Sequence, residues 1–264
     1  MVTKKSFLVD VGLNSLPFPI RVLSREDPAG QHTVADISIR ARILQEFEAR
    51  WIDKFIGVLH SHRDRIGTDT VGKNVQDYLT QLKATMVRAE FSYPFFVEKL
   101  TPVSREKCLV KYQCSYSAQV TATTEKPKIL FKIVVPVITT YPGSSPEETG
   151  GLFGQLSEIK LEVRLREAIY PEDLVEMVDK HALAPVYSFL TDEDQAWIIK
   201  KIHTESKSSV TVTEEIKNEL AHTKEIEWYR VECINYAMLH YYSTMIGTEK
   251  SMWVPFSGYD EDDI

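Results

Sequence analysis

A chain of 264 residues with 43% hydrophobic and 26% charged side chains has enough apolar material for one large body or two modest ones, and it reads as an ordinary globular protein. The formal net charge of −7 argues against a broad electrostatic footprint for nucleic acid or for an anionic membrane. Cys108, Cys114 and Cys233 are odd in number and show no C-x-x-C spacing, which speaks against a disulfide framework or a zinc ribbon and for reduced thiols in the cytoplasm.

No continuous apolar stretch follows the lysines near the start, and no run approaches the ~18 residues of a membrane span. The first regular element is predicted at 31–43, QHTVADISIRARI, where Thr33, Ala35, Ile37, Ile39, Ala41 and Ile43 share one face of a half-buried strand. Phe47, Trp51, Phe55, Val58 and Leu59 then recur at helical spacing. After SHRDRIGTDT the series Val71, Val75, Tyr78, Leu79, Leu82 and Met86 does so again. From 90 onward the period returns to two, most clearly in LVKYQCSYSAQVTA; EKP at 125–127 reads as a turn, and KILFKIVVPVITTY as the next strand.

The second half repeats this order. EIKLEVRLRE alternates as a strand, and PEDLVEMVDKHA, DEDQAWIIKKIH and VTVTEEIKNELAH read as helices. Pro171 followed by Glu172 and Asp173 suits a helix start, because proline's missing N–H is no loss in the first turn and carboxylates favour the positive end of the helix dipole. EIEWYRVECI is predicted as a strand, NYAMLHYYSTMIG as helix-prone, and residues 255–264 as a solvated acidic tail. No linker of Gly, Ser or Pro separates the halves, so the expectation is one compact α+β unit of two tandem modules, approximately 15–138 and 150–250.

Local chemistry signals are sparse. HSHRD carries His60, His62 and Asp64 at a spacing that some metal hydrolases use, but it lies at a helix end, where histidines commonly serve as caps. The remaining histidines form no H-E-x-x-H, and there is no G-x-S-x-G, P-loop or G-x-G-x-x-G pattern. Ser144, Ser145, Glu147 and Glu148 read as a surface loop with capping capacity, and Tyr236, Tyr241 and Tyr242 as packing aromatics able to stack on a planar ligand.

Several runs together resemble the type IB GTP cyclohydrolase family: VGLNSLPFPIRV, GQHTVADISIRARI, FIGVLH, RAEFSYPFFVEKLTPVSREKCLVKYQCSY, VVPVITTYPGS and VEMVDKHALAPVYSFL. The resemblance implies a tunnelling fold, in which tandem modules of antiparallel sheet with helices layered on one side assemble into barrel-like oligomers. It also implies ligand pockets at subunit interfaces and action on GTP with a divalent metal.

The sequence departs from the family's active-site pattern. The family's C-P-C-S-type segment corresponds to Tyr141-Pro142-Gly143-Ser144, and its H-N-Q-R-S-type run to Phe153-Gly154-Gln155-Leu156-Ser157. Its ligand glutamate before Y-x-x-L falls on Pro185. Its E-S-I-H-x-H run falls on Asn235-Tyr236-Ala237-Met238-Leu239-His240, and its K-G-T-H-M-S-R-F run on residues 48–55. A zinc-like ion needs about three protein donors, which Phe, Pro, Met and Gly do not supply.

The sequence alone therefore leads to the expectation of a repurposed relative without metal or other cofactor. It would bind a small, planar molecule between subunits of a homo-oligomer, a dimer or tetramer, for a metal-independent biosynthetic step. In that reading His240 and Tyr141 are the candidate catalytic residues, and Asn235, Ser144 and Tyr236 contact the substrate. Two alternatives stand beside it: a non-catalytic binding or structural homologue, and an active GTP cyclohydrolase with unusual ligands such as His60, His62 and Asp64.

Overall fold

The computed structural model describes residues 8–44, 51–124 and 126–250. Its strands form a nine-stranded antiparallel sheet from β1 (Leu8–Val22), β2 (Gln31–Leu44), β3 (Ala84–Leu100), β4 (Lys107–Thr121), β5 (Lys128–Thr140), β6 (Gly154–Leu165), β7 (Ala184–Pro185), β8 (Ile226–Tyr236) and β9 (Ser243–Glu249). Spatial order follows chain order, β1-β2-β3-β4-β5-β6-β8-β9, with the two-residue β7 pairing alongside β5. The helices are α1 (Trp51–His62), α2 (Thr68–Gln81), α3 (Pro146–Thr149), α4 (Pro171–His181), α5 (Asp192–Thr204) and α6 (Ser209–His222).

Period-two alternation decides which face is covered. Ile37, Ile39, Val87, Ala89, Phe91, Tyr112, Tyr116, Phe131, Ile133, Ile159, Leu161 and Val231 are all buried, and α2 packs on β3, β4 and β5 while α6 packs on β8 and β9. The opposite face carries charges in register, as where Lys132 faces Glu162 and Glu162 faces Arg230. The fold is thus a single antiparallel sheet with its main helices on one side, in agreement with the α+β expectation.

Helix α4 ties the two halves together. Its first-turn Glu172 is buried and accepts from Ser24 Oγ at 2.5 Å and Arg25 N at 3.0 Å, in the β1–β2 connection. Asp179, also on α4, pairs with Lys99 of β3, whose Nζ lies 5.3 Å and 5.9 Å from the ring centroids of Tyr112 and Tyr187.

Four expectations change. The segment 8–22, unassigned from sequence, is the edge strand β1, with a register break between Leu13 and Leu16 and Ser15 at φ 49°. Met86 belongs to β3 because Lys83, at φ 50°, ends the helical path after Leu82. NYAMLHYYSTMIG is no helix: Asn235 and Tyr236 end β8, and Ser243 onward returns as β9 against it. Residues 146–149 form a one-turn helix with Ser145 at its N-cap. Phe47 and the acidic tail at 255–264 lie outside the described residues.

Candidate functional site

One end of the sheet gathers the positions that the sequence singled out. Register places Pro185 opposite Val137, Gly154 opposite Thr140, and Asn235 opposite Ser157. The four segments 141–144, 153–157, 185 and 235–240, separated by up to a hundred residues, therefore meet where β5 and β8 end and β6 begins.

At that level the inward face of three adjacent strands changes character. Val135 and Val137 give way to Thr139, Ile159 to Ser157, and Val231 to Asn235, and all three polar residues are buried. A buried polar group is stable only when it is paired, and these pair with one another. Thr139 Oγ1 and Ser157 Oγ lie 2.8 Å apart, and Ser157 Oγ donates to Asn235 Oδ1 at 2.8 Å. Asn235 Nδ2 donates to Ser209 Oγ at 3.3 Å and Thr244 Oγ1 at 3.4 Å. Gln155 Nε2 donates to Thr139 Oγ1 at 3.3 Å and to the Thr140 carbonyl at 3.4 Å. Cys233 Sγ reaches Asn235 Oδ1 at 3.5 Å, and burial pushes this thiol up to about 11, with a Ser157 hydrogen bond acting in the other direction, so it stays protonated at neutral pH.

Asn235 is accordingly a hub inside the protein, with both ends of its amide engaged. Replacing it by alanine is expected to reduce stability by about 2 kcal/mol, since it strands buried donors on Ser157 and Cys233. Urea unfolding of Asn235→Ala checks this, and a loss below about 0.5 kcal/mol would show the network to be expendable.

The loop above the cluster is ordered by its backbone. Tyr141 N donates to the Phe153 carbonyl at 2.7 Å, and Ser144 donates to the Tyr141 carbonyl through N at 3.1 Å and Oγ at 2.7 Å. The Tyr141 ring lies so close over Gly143 that a Cβ there would meet Tyr141 Cε1 at 2.8 Å. The α5–α6 connection closes the same end, with Thr140 N donating to the Lys207 carbonyl at 2.8 Å and Lys207 N to Thr140 Oγ1 at 2.7 Å.

His240 is exposed in the β8–β9 turn and stacks on Tyr242 with centroids 5.0 Å apart and planes 9° apart. Tyr236 donates to Glu158 Oε2 at 2.8 Å, which raises its phenol above the ordinary range. The structure thus brings His240, Tyr141, Ser144, Asn235 and Tyr236 to one end of the sheet. Sequence reasoning passed over Thr139 and Ser209 and gave Ser157 only as the end of an aligned run; the loss of apolar alternation at Thr139 and Ser157 was the available signal.

HSHRD does not converge. His62 Nε2 pairs with Asp77 Oδ2 at 2.6 Å, Asp64 lies 3.7 Å from Arg21, and the His60 ring stands edge-on to Phe18 at 5.1 Å. Among the described residues no three of His, Cys, Asp and Glu gather as metal ligands. The neutral amides and hydroxyls of the Asn235 cluster do not fit the divalent metal that the family resemblance implies, since such an ion is held by imidazole, thiolate or carboxylate. No step is assigned to a metal.

The family model described as type I GTP cyclohydrolase folE2 matches residues 3–245. A protein named GTP cyclohydrolase FolE2 from Geotalea uraniireducens is 29% identical over 240 residues, covering 91% of this chain and 87% of its own. One of the same name from Geobacter sp. strain M21 is 28% identical, covering 91% and 89%. Among solved structures, uricase from Arthrobacter globiformis superposes with a TM-score of 0.55 at 8% identity, covering 100% of each chain, and supports the tunnelling fold alone. These matches correct the expectation of a repurposed protein that has lost GTP chemistry. Likeness to proteins named for GTP chemistry runs over nine-tenths of the chain, whereas that expectation rested on a few substituted positions at one sheet end.

Proposed function

The chain belongs to the type I GTP cyclohydrolase FolE2 family, and from that membership we propose that it is itself a GTP cyclohydrolase with its substrate pocket at the Tyr141–Asn235 end of the sheet. The observation that carries this reading is the family match over residues 3–245, joined to the meeting in space of four of the five segments aligned with the family's site. His240, an exposed imidazole at the β8–β9 turn, is the proton carrier. Tyr141 is a proton donor at the loop, and Ser144 and Tyr236 contact the substrate. Asn235 acts through Ser157 and Ser209 and is a positioning residue. The parallel rings of His240 and Tyr242 offer a flat surface of the kind on which a purine stacks. The pocket is completed by a second copy of the chain in a homo-oligomer.

Formate release from GTP by the purified full-length protein, measured with magnesium, manganese and zinc in turn, tests the activity. Turnover is expected, with kcat reduced about 100-fold in His240→Ala. Absence of formate under every condition, with GTP still bound, would overturn it in favour of a family member that binds without turnover.

A further inference from the structure

Away from the helices, the open face of the sheet carries a ladder of charges that is complementary almost throughout. Arg42 is opposite Asp10 and bonded to it at 2.8 Å and 3.0 Å. Lys132 is opposite Glu162 at 2.6 Å, Lys160 is opposite Glu232, and Glu162 is opposite Arg230. Arg40 and Arg88 break the rule: they are direct cross-strand partners on β2 and β3, and among the described residues neither has an acidic partner within ion-pair distance. Like charges directly opposite are unfavourable in a sheet, so a fold that compensates its other charges here leaves two guanidinium groups side by side.

The surroundings of the pair are shaped as a receptacle. Arg40 and Arg88, with Asn14, Ser38 and Glu90, line a concavity of about 250 Å³. Its wall is the break in β1, where Ser15 takes a left-handed φ of 49° and its N–H donates to Ser38 Oγ at 3.0 Å, leaving the Ser38 O–H to donate elsewhere. Gly12, opposite Arg40, lets β1 approach β2 closely beside the hollow, since a Cβ there would collide with the Ile39 carbonyl oxygen. Two forked cations, an amide and a hydroxyl converging on one hollow match the oxygens of a phosphate group, which arginine binds through paired N–H donors.

We propose that this hollow is a binding site for a small phosphate-bearing anion, separate from the Tyr141–Asn235 end of the sheet. Free inorganic phosphate or pyrophosphate and the phosphate tail of a nucleotide share the required chemistry. Glu90 opposes the anion and sets its affinity, lowering the local charge from two to one. Occupancy also removes the repulsion between Arg40 and Arg88, so binding stabilises the fold.

Calorimetric titration of the full-length protein with phosphate, pyrophosphate and GTP, at constant ionic strength with chloride as the control, tests the proposal. Saturable binding of at least one of them is expected, about tenfold weaker or more in Arg88→Gln and in Arg40→Gln, several-fold tighter in Glu90→Gln, and unchanged in Arg42→Gln. Pyrophosphate binding that depends on Arg88 assigns the free anion; GTP binding that depends on Arg88, without pyrophosphate binding, assigns the nucleotide tail. The ligand-free Arg88→Gln protein is expected to melt no lower than wild type, which separates lost contacts from lost folding. No saturable binding at constant ionic strength, or binding equal in Arg88→Gln and wild type, would overturn it. Because the readout is binding at β2 and β3, failure here leaves formate release from GTP as an independent result.

Discussion

Lys99→Met is expected to destabilise the protein by about 3–5 kcal/mol at neutral pH, the range seen when one member of a buried ion pair is removed. The Lys99 and Asp179 side chains are only 11% and 17% exposed, so water compensates little for a lost partner. Burial pushes the Asp179 carboxyl above its ordinary value, while Lys99 pulls it down. An acid raised in the folded state favours folding in its protonated form; its contribution is complete below the unfolded value and is lost as pH rises through the folded one. Removing Lys99 takes away the opposing influence, so the deficit is expected to be larger at pH 7 than at pH 4. Pairing the change with Asp179→Asn should recover much of it. Denaturant melts at both pH values decide the matter, and an equal deficit at each would show that the lysine is not compensating a buried carboxylate.

Asp194 carries the second large effect, with the opposite sign in pH. It is fully buried at the start of α5. It accepts from Val103 N at 2.8 Å, Ser104 N at 2.9 Å and Ser104 Oγ at 2.6 Å, and from Thr191 Oγ1 at 2.7 Å. One carboxylate thus fastens the β3–β4 turn to a helix of the second half. Burial alone raises this acid, but the hydrogen bonds from Ser104, Thr191 and the Val103 backbone outweigh it and hold it well below the ordinary 3.8. Asp194→Ala is expected to lower the melting midpoint by roughly 5–10 °C. A lowered acid stabilises above its unfolded value and loses that contribution as pH falls. The wild-type advantage over Asp194→Asn should therefore be complete above about pH 5 and shrink below about pH 4. A midpoint difference that ignores acidification would remove the carboxylate from the explanation.

The interior of the sheet was legible because period-two patterning and burial coincide: every inward position from Ala35 to Ile43 and from Val110 to Val120 is buried. The edges were not. Strand β1 carries Gly12, Asn14, Ser15, Pro17 and Pro19, and a strand paired on one side tolerates such breakers because half of its backbone needs no ladder partner. Strand β9 is mostly exposed, so no apolar alternation marks it, and its aromatic approach imitates helical spacing. At the site, family resemblance picked positions that do meet, but Asn235 was expected to face a ligand and instead bonds to Ser157, Ser209 and Thr244. Side-chain direction at a strand end depends on neighbours 78 residues away in the chain, which no local pattern carries. Asp194 likewise lay unremarked in DEDQAWIIKKIH, read only as a helix, with partners about ninety residues upstream.

The order of the strands also bears on how the chain reaches this state. In a meander each strand finds its neighbour across a turn, which keeps the mean separation of contacting residues small for a sheet of this width and favours rapid assembly. The β3–β4 hairpin, paired without a break from Leu100↔Lys107 to Met86↔Thr121, is the longest such local unit. Two long joins depart from the scheme, β2 to β3 and β6 to β8; among the described residues the first carries α1 and α2, and the second carries α4, α5 and α6 with the short β7. The entropy of closing those loops is met only when the helices dock, so the covering layer and the sheet are kinetically bound to one another at just these two seams.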